Sequence, residues 1–216
     1  MSQLEVSRPI LEANDQLAQQ NRRLFRQAGV KVVNIISSPG AGKTSLLEKT
    51  LVKLKDRLRL AVIEGDIQTT EDAQRVAACG VKAVQIETRG ACHLDGAMLA
   101  DALAAFDLNE LDLLIVENVG NLVCPVEFDL GEDMKIAVLS VTEGDDKPSK
   151  YPQLFSQAGV LIINKIDLLP FIDCDIQRIR HTCRQLNPDQ VVFELSCRSG
   201  EGLDAWADWL ERWVRS

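Results

Sequence analysis

The chain reads as a single α/β domain: a mostly parallel sheet covered by helices on both faces, with an N-terminal helical extension. Three observations predict this class. Seven short β-branched and aliphatic runs recur along the chain, nearly apolar throughout instead of alternating, the pattern of strands buried on both faces. Segments of helical period fall between most of them, as in βαβ architectures. The 216 residues suffice for one compact domain with a sizeable core, and no repeat, low-complexity tract or convincing linker interrupts them. Residues 1–29 are assigned to the extension and 30–216 to the domain.

In order, SRPILEANDQLAQQNRRLFRQAG (7–29) has Ser7 as a cap, Pro9 in the first turn and Gly29 as a stop. Ile10, Leu17, Leu24 and Phe25 recur at helical spacing and predict an amphipathic helix over 7–28. KVVNIIS (31–37) is the first strand; LRLAVIEG (58–65), KAVQIET (82–88), LDLLIVEN (111–118), MKIAVLSV (134–141), VLIINKID (160–167) and VVFELS (191–196) are the others. Helical patterns occupy 43–56, 69–79, 95–105, 150–158 and 174–186. The closing LDAWADWLERWV places Leu203, Trp206, Leu210 and Trp213 on one packing face.

Composition excludes several classes. A net charge of −8 and pI near 4.9 offer no general attraction to nucleic-acid phosphates or anionic lipid. No uncharged apolar run is long enough to span a bilayer, and the first residues lack the layout of a signal peptide. Six cysteines without regular spacing or a C-x-x-C read as cytosolic thiols, which places the chain in the cytoplasm.

NIISSPGAGKTSLLEKTL joins the first strand to the first helix. Ser38, Pro39, Gly40, Ala41, Gly42, Lys43, Thr44 and Ser45 form a candidate phosphate loop. Glycines turn backbone amides inward, Lys43 supplies charge to the outer phosphates, and the Thr44 hydroxyl suits Mg²⁺. The strict pattern has glycine where Ser37 stands, which removes one glycine from the case. After another strand come Asn164, Lys165 and Asp167. A carboxylate there can accept from the N1–H and exocyclic amine of guanine, a donor pair adenine lacks. Ser196 and Cys197, before the Gly200/Gly202 turn, suit a backbone amide for guanine O6. GTP and GDP are therefore the expected nucleotides.

Glu117 ends a buried strand and Gly120 follows at E-x-x-G spacing, similar to a GTPase D-x-x-G switch. Glu117 is expected to reach Mg²⁺, and Gly120 the γ-phosphate. Asp66 and Asp72 are candidates for the rest of the metal shell or for the attacking water; a helix N-terminal acid is the alternative for Asp72. No arginine is placed as a transition-state finger, so hydrolysis alone is expected to be slow.

Cys92 and His93 precede a helix, and Cys124 lies just past Gly120. A packed pair and a metal site are the two readings. Three N/S ligands suit Zn²⁺ or Ni²⁺, but leave a closed tetrahedral site one ligand short, a deficit that a water, a transient site or a second copy of the chain would fill. Cys79, Cys174, Cys183 and Cys197 read as structural thiols, the middle two on nearly opposite helical faces, and His181 as solvated.

SSPGAGKT, ACHLD, ENVGNLVCPVEFDLGE, EGDDKPSKYP and NKIDLLP together resemble the HypB family, GTPases that support nickel insertion into nickel–iron hydrogenase. The resemblance implies a P-loop GTPase that dimerises with nucleotide, with Zn²⁺/Ni²⁺ ligands at Cys92, His93 and Cys124 and with Lys150 near the nucleotide or dimer contact. It implies as partners the hydrogenase large subunit and other maturation proteins, including a nickel-delivering metallochaperone. No C-x-x-C-G-C cluster or histidine-rich tract is present, so the domain site is expected to carry the metal function. Alternatives are a GTP-binding metal carrier with negligible turnover, or a chaperone for another nickel enzyme such as urease, whose expected C-P-H motif is absent. A small-molecule P-loop kinase would not need N-K-x-D.

Overall fold

The computed structural model describes residues 7–66, 75–88 and 90–216. All seven expected strands form: β1 (Lys31–Ser37), β2 (Leu60–Asp66), β3 (Lys82–Glu87), β4 (Leu113–Glu117), β5 (Met134–Ser140), β6 (Val160–Asn164) and β7 (Val191–Glu194). Their order is β3-β2-β4-β1-β5-β6-β7, and every adjacent pair is parallel. The expected run at 160–167 stops at Asn164 because Lys165 takes a left-handed φ of 64°.

Alternate residues of β1 point to opposite faces of the sheet and feed three hydrophobic clusters. Val33 and Ile35 meet Leu46, Leu47 and Leu51 of α2 (Lys43–Leu54). Val32 joins Phe25 of α1 (Ser7–Ala28) and Leu99 of α3 (Gly96–Leu103) on the other face. Ile36 sits with Phe155 and with Ile179 and Cys183 of α4 (Ile176–Leu186). The final helix α5 (Leu203–Val214) buries Leu203, Trp206 and Leu210 as expected, with Trp213 partly buried. Trp206 Nε1 donates to Thr50 Oγ1 at 2.9 Å, tying α5 to α2.

Three expectations change. Along α1 the buried stripe is Asn14, Ala18, Asn21 and Phe25, while Ile10 and Leu24 are 57% and 47% exposed. Asparagines occupy this stripe because they satisfy the backbone beneath it. Asn14 Oδ1 accepts from Gly96 N, and Asn21 Nδ2 donates to the Gly96 and Leu130 carbonyls. Second, Asp175 caps α4 by accepting from Gln177 N and Arg178 N, so Cys174 precedes the helix and packs into the same core as Cys183. Third, the helical pattern over 150–158 divides into short turns, Lys147–Lys150 and Pro152–Gln157. The 69–79 pattern falls largely outside the described residues; residues 75–77 are helical.

Because the strands all run one way, the loops after β1, β2, β3, β4 and β6 gather at one edge. The connections reverse direction across β1, and ligands of open α/β sheets bind outside such a point.

Candidate nucleotide and metal sites

β1 ends at Ser37 and α2 begins at Lys43. Between them Gly40 and Gly42 have φ of 76° and 98°. A Cβ on Gly42 would stand 2.5 Å from Asn164 Nδ2, so both conformation and space require glycine. Ser37, in the unusual first position, is buried; its hydroxyl donates to Ser38 O at 2.6 Å and accepts from Lys43 Nζ at 3.1 Å. The departure thus adds a contact to the loop lysine. Thr44 Oγ1 donates to Glu117 Oε1 at 2.9 Å. This hydroxyl–carboxylate pair is the hard-oxygen chemistry Mg²⁺ prefers. Gly120 lies against the loop: a Cβ there would be 3.0–3.1 Å from Pro39 atoms.

These residues face a cleft of about 510 Å³, lined by Pro39, Gly40, Gly42, Lys43, Thr44, Ser45, Glu117 and Gly120. Glu64, Arg75 and Asn118 also line it and were not singled out in the sequence. Glu64 is 2% exposed and lies in register with Glu117 across β2 and β4. An acid inside the apolar run LAVIEG was the available signal. Arg75 makes a two-pronged ion pair with Glu48, at 3.0 and 2.8 Å. Asp66 closes β2, but its side chain lies outside the described residues, as does Asp72 entirely.

A second cavity of about 310 Å³ adjoins the first, bordered by Ser45, Asn164, Lys165, Asp167, Leu168 and Cys197. Asn164 and Lys165 brace the phosphate loop. Asn164 Nδ2 donates to Ala41 O at 2.9 Å, and Lys165 Nζ to Gly40 O at 2.7 Å. Asn164 Oδ1 accepts from Lys165 N and from Cys197 N, at 2.8 and 3.3 Å. Asp167 Oδ1 accepts from Ser196 Oγ at 2.5 Å. Burial pushes the Cys197 thiol up to about 11. Lys150 lies in the short turn Lys147–Lys150, ion-paired with Asp146 at 2.6 Å, and lines neither cavity.

Cys92 and His93 lie in the loop between β3 and α3, where neighbours need not face apart as in a strand. Cys124 opens the short helix Cys124–Glu127. Cys92 Sγ is 3.0 Å from Cys124 Sγ and 3.6 Å from His93 Nδ1. One ligand atom from each of the three residues lies within 4.8 Å of the others. Ligands at 2.0–2.3 Å from one tetrahedral ion stand about 3.3–3.8 Å apart, so small side-chain shifts complete the geometry. His93 stacks on Phe128 with ring centroids 3.8 Å apart. Burial lowers the His93 pKa, favouring the neutral imidazole that binds metals. The Cys124 thiol is raised, first by its contact with Cys92 and then by burial. The loop hangs from the segment after β4: Asn118 Oδ1 accepts from Leu94 N at 3.1 Å, and Asn121 Nδ2 donates to Cys92 O at 3.4 Å.

Known proteins are similar to this chain in sequence and in fold. The hydrogenase maturation factor HypB of Escherichia coli K12 is 50% identical over 208 residues, covering 96% of this chain and 72% of that protein. The HypB of Azotobacter vinelandii is 52% identical, covering 97% and 69%. The chain belongs to the HypB family. The family description "CobW/HypB/UreG, nucleotide-binding domain" matches residues 31–194, the span from the start of β1 to the end of β7. The crystal structure of Helicobacter pylori HypB in complex with nickel superposes with a TM-score of 0.89 at 39% identity, covering 94% of this chain and 95% of that one. A HypB-family fold thus carries two adjoining cavities and a Cys–His–Cys cluster on one edge of its sheet.

Proposed function

We propose that this hydrogenase maturation factor is a slow, Mg²⁺-dependent GTPase whose nucleotide state governs a Zn²⁺/Ni²⁺ site at Cys92, His93 and Cys124. The observation that carries the reading is continuity. The segment leaving β4 touches the phosphate loop through Glu117 and Gly120, then delivers Cys124 to within 3.0 Å of Cys92. The loop amides and Lys43 bind the β- and γ-phosphates, and Asp167 selects guanine, with the Ser196–Cys197 turn closing over the base. Thr44 and Glu117 would hold Mg²⁺, which when bound offsets charge on the phosphates. Asp66 and Asp72 are the candidates for completing that shell or orienting water. With the metal bound, Glu117 would be a ligand or a partner of its waters, and the Gly120 amide would face the γ-phosphate; either adjustment would act on the segment that leads to Cys124. Three ligands per chain suit a releasable cargo. We infer a cytoplasmic protein that dimerises with GTP, with Lys150 near the nucleotide or dimer contact, receives nickel from a metallochaperone and serves the hydrogenase large subunit. Two relatives' names and the nickel-bound relative support the cargo and the client. Calorimetric titration of Ni²⁺ and Zn²⁺ into apo, GDP and GTP-analogue forms, alongside size-exclusion chromatography, tests it. Different affinities between nucleotide states and a larger GTP-analogue species are expected. One affinity in all three states refutes the coupling.

A further inference from the structure

Asn118 follows Glu117 directly and is 1% exposed. Its amide is engaged at both the oxygen and the nitrogen. Oδ1 accepts from Leu94 N at 3.1 Å and Val119 N at 3.0 Å, and Nδ2 donates to Asn34 Oδ1 at 3.2 Å. Leu94 follows His93 in the chain and is fully buried. A Cβ on Gly65 would stand 2.8 Å from the Leu94 side chain, so Leu94 is packed hard against β2. On its other side Asn118 lines the phosphate cleft with Glu117 and Gly120.

We infer that Asn118 is a positioning residue that carries nucleotide state from Glu117 into the loop bearing Cys92 and His93, so that all three ligands respond and not Cys124 alone. The physical reason is burial. When the end of β4 shifts, the Leu94 N–H has no water to turn to. Either it loses its partner, which a buried donor resists, or the loop follows. The Asn121 bond to the Cys92 carbonyl reinforces the link at the rim but is longer, at 3.4 Å. The inference rests on the proposal above that nucleotide changes metal affinity.

The test measures Zn²⁺ affinity by competition with a chromophoric chelator in the GDP and GTP-analogue forms, and the ratio of the two is the readout. A metal-free readout accompanies it: the rate of Cys92 alkylation in the same two forms, followed by peptide mapping. Wild type is expected to show a ratio within the roughly 5–150-fold range of ordinary coupling. Asn118→Ala is expected to bring it to within about twofold of one, and to equalise the alkylation rates. Asn118→Asp keeps an oxygen for Leu94 N–H and is expected to retain more of the ratio. If Asn118→Ala does not fold, Asn118→Ser, whose hydroxyl is too short for Leu94, replaces it with the same expectation. A residue that merely supports the fold would scale both affinities together and leave the ratio intact; that result overturns the inference while leaving the proposed function standing. A wild-type ratio of one overturns both.

Discussion

Asp167→Asn is the sharpest test of the base pocket, because the structure fixes which way the new amide must face. The Ser196 hydroxyl already accepts from Arg198 N at 3.2 Å and Ser199 N at 3.1 Å, so its single proton is committed to Asp167 Oδ1 at 2.5 Å. An amide at this position must therefore give its oxygen to Ser196 and turn its NH₂ into the cavity. Guanine presents two donors there, N1–H and the exocyclic amine. One charge-assisted bond, about 1.5–3 kcal/mol, is lost, and a desolvated donor faces a donor at a further cost of about 1–3 kcal/mol. GTP should weaken by about 3 kcal/mol or more, roughly a hundredfold in Kd. Xanthine carries a carbonyl in place of the amine and should gain. Adding Ser196→Ala frees the amide to turn its oxygen back to the base, so the double variant should lose much of the xanthine preference. Competition of GTP and XTP for a fluorescent guanine nucleotide reads all three proteins. An unchanged guanine preference in Asp167→Asn refutes the assignment of the pocket.

Lys43→Ala should abolish hydrolysis, because the fixed charge facing the phosphates is removed; Thr44→Val should remove Mg²⁺ dependence together with activity, and normal phosphate release by Lys43→Ala would make the loop purely structural. Cys92→Ala, His93→Ala and Cys124→Ala should each weaken metal binding, whereas Cys174→Ala, which removes a thiol from the α4 core, should not; equal loss in all four would point to unfolding. Metal must displace the proton of the raised Cys124 thiol, so affinity measured by chelator competition should rise with pH below that thiol's pKa. Burial holds the Cys183 thiol up at about 12, against 9.0 for a free thiol, so native protein should resist alkylation there and react only on unfolding. Above pH 9.0 the unfolded chain sheds this proton and the folded one does not, so stability to urea should fall as pH rises from there toward about 12; a constant or rising stability contradicts the burial.

The strands were legible because a residue buried on both faces leaves an uninterrupted apolar run, as KVVNIIS and VLIIN show. The phosphate-loop conformation and the place of Asp167 at a cavity rim were legible because their signal is local: a strand, a few glycines and a carboxylate shortly after another strand. Other parts were hidden for identifiable reasons. Counting apolar residues along α1 chose Ile10 and Leu24, since periodicity cannot register an asparagine whose value lies in the backbone groups it satisfies. Glu64 sits within a strand, where an acid looks like an interruption; its meaning appears only when β2 lies beside β4 and places it next to Glu117. Asn164 looks like a base contact in N-K-x-D, yet its side chain spans to Ala41 and Cys197, contacts that depend on three separated segments meeting. The convergence of Cys92, His93 and Cys124 likewise depended on β3 and β4 flanking β2, so that their following loops meet over it.

That convergence imposes a requirement on the rest of the fold. The chain from Asn118 to Asp133 is largely irregular, and irregular backbone near a core must find partners outside a sheet ladder. Here side chains supply them. Asn118 serves Leu94 and Val119, and Glu132 Oε2 accepts from Leu130 N at 2.8 Å while its Oε1 accepts from Asn34 at 3.2 Å. From α1, Asn14 Nδ2 donates to Asp129 O at 2.9 Å and Asn21 reaches Leu130 O at 3.2 Å, while Arg22 grips Asp129 with contacts at 2.9 and 2.8 Å. Gly131, at φ of 91°, is close enough to α1 that a Cβ would meet Ala18 O at 2.5 Å. These contacts make α1 a strut under the segment that carries Cys124. An apolar stripe on α1 could have packed against the sheet, but it could not have satisfied the carbonyls of a segment that leaves the strand register. A buried polar network of this kind is directional, so it favours discrete arrangements over gradual deformation. A segment joining the phosphate-loop cleft to the Cys92–His93–Cys124 cluster needs that property if the state of one is to be read at the other.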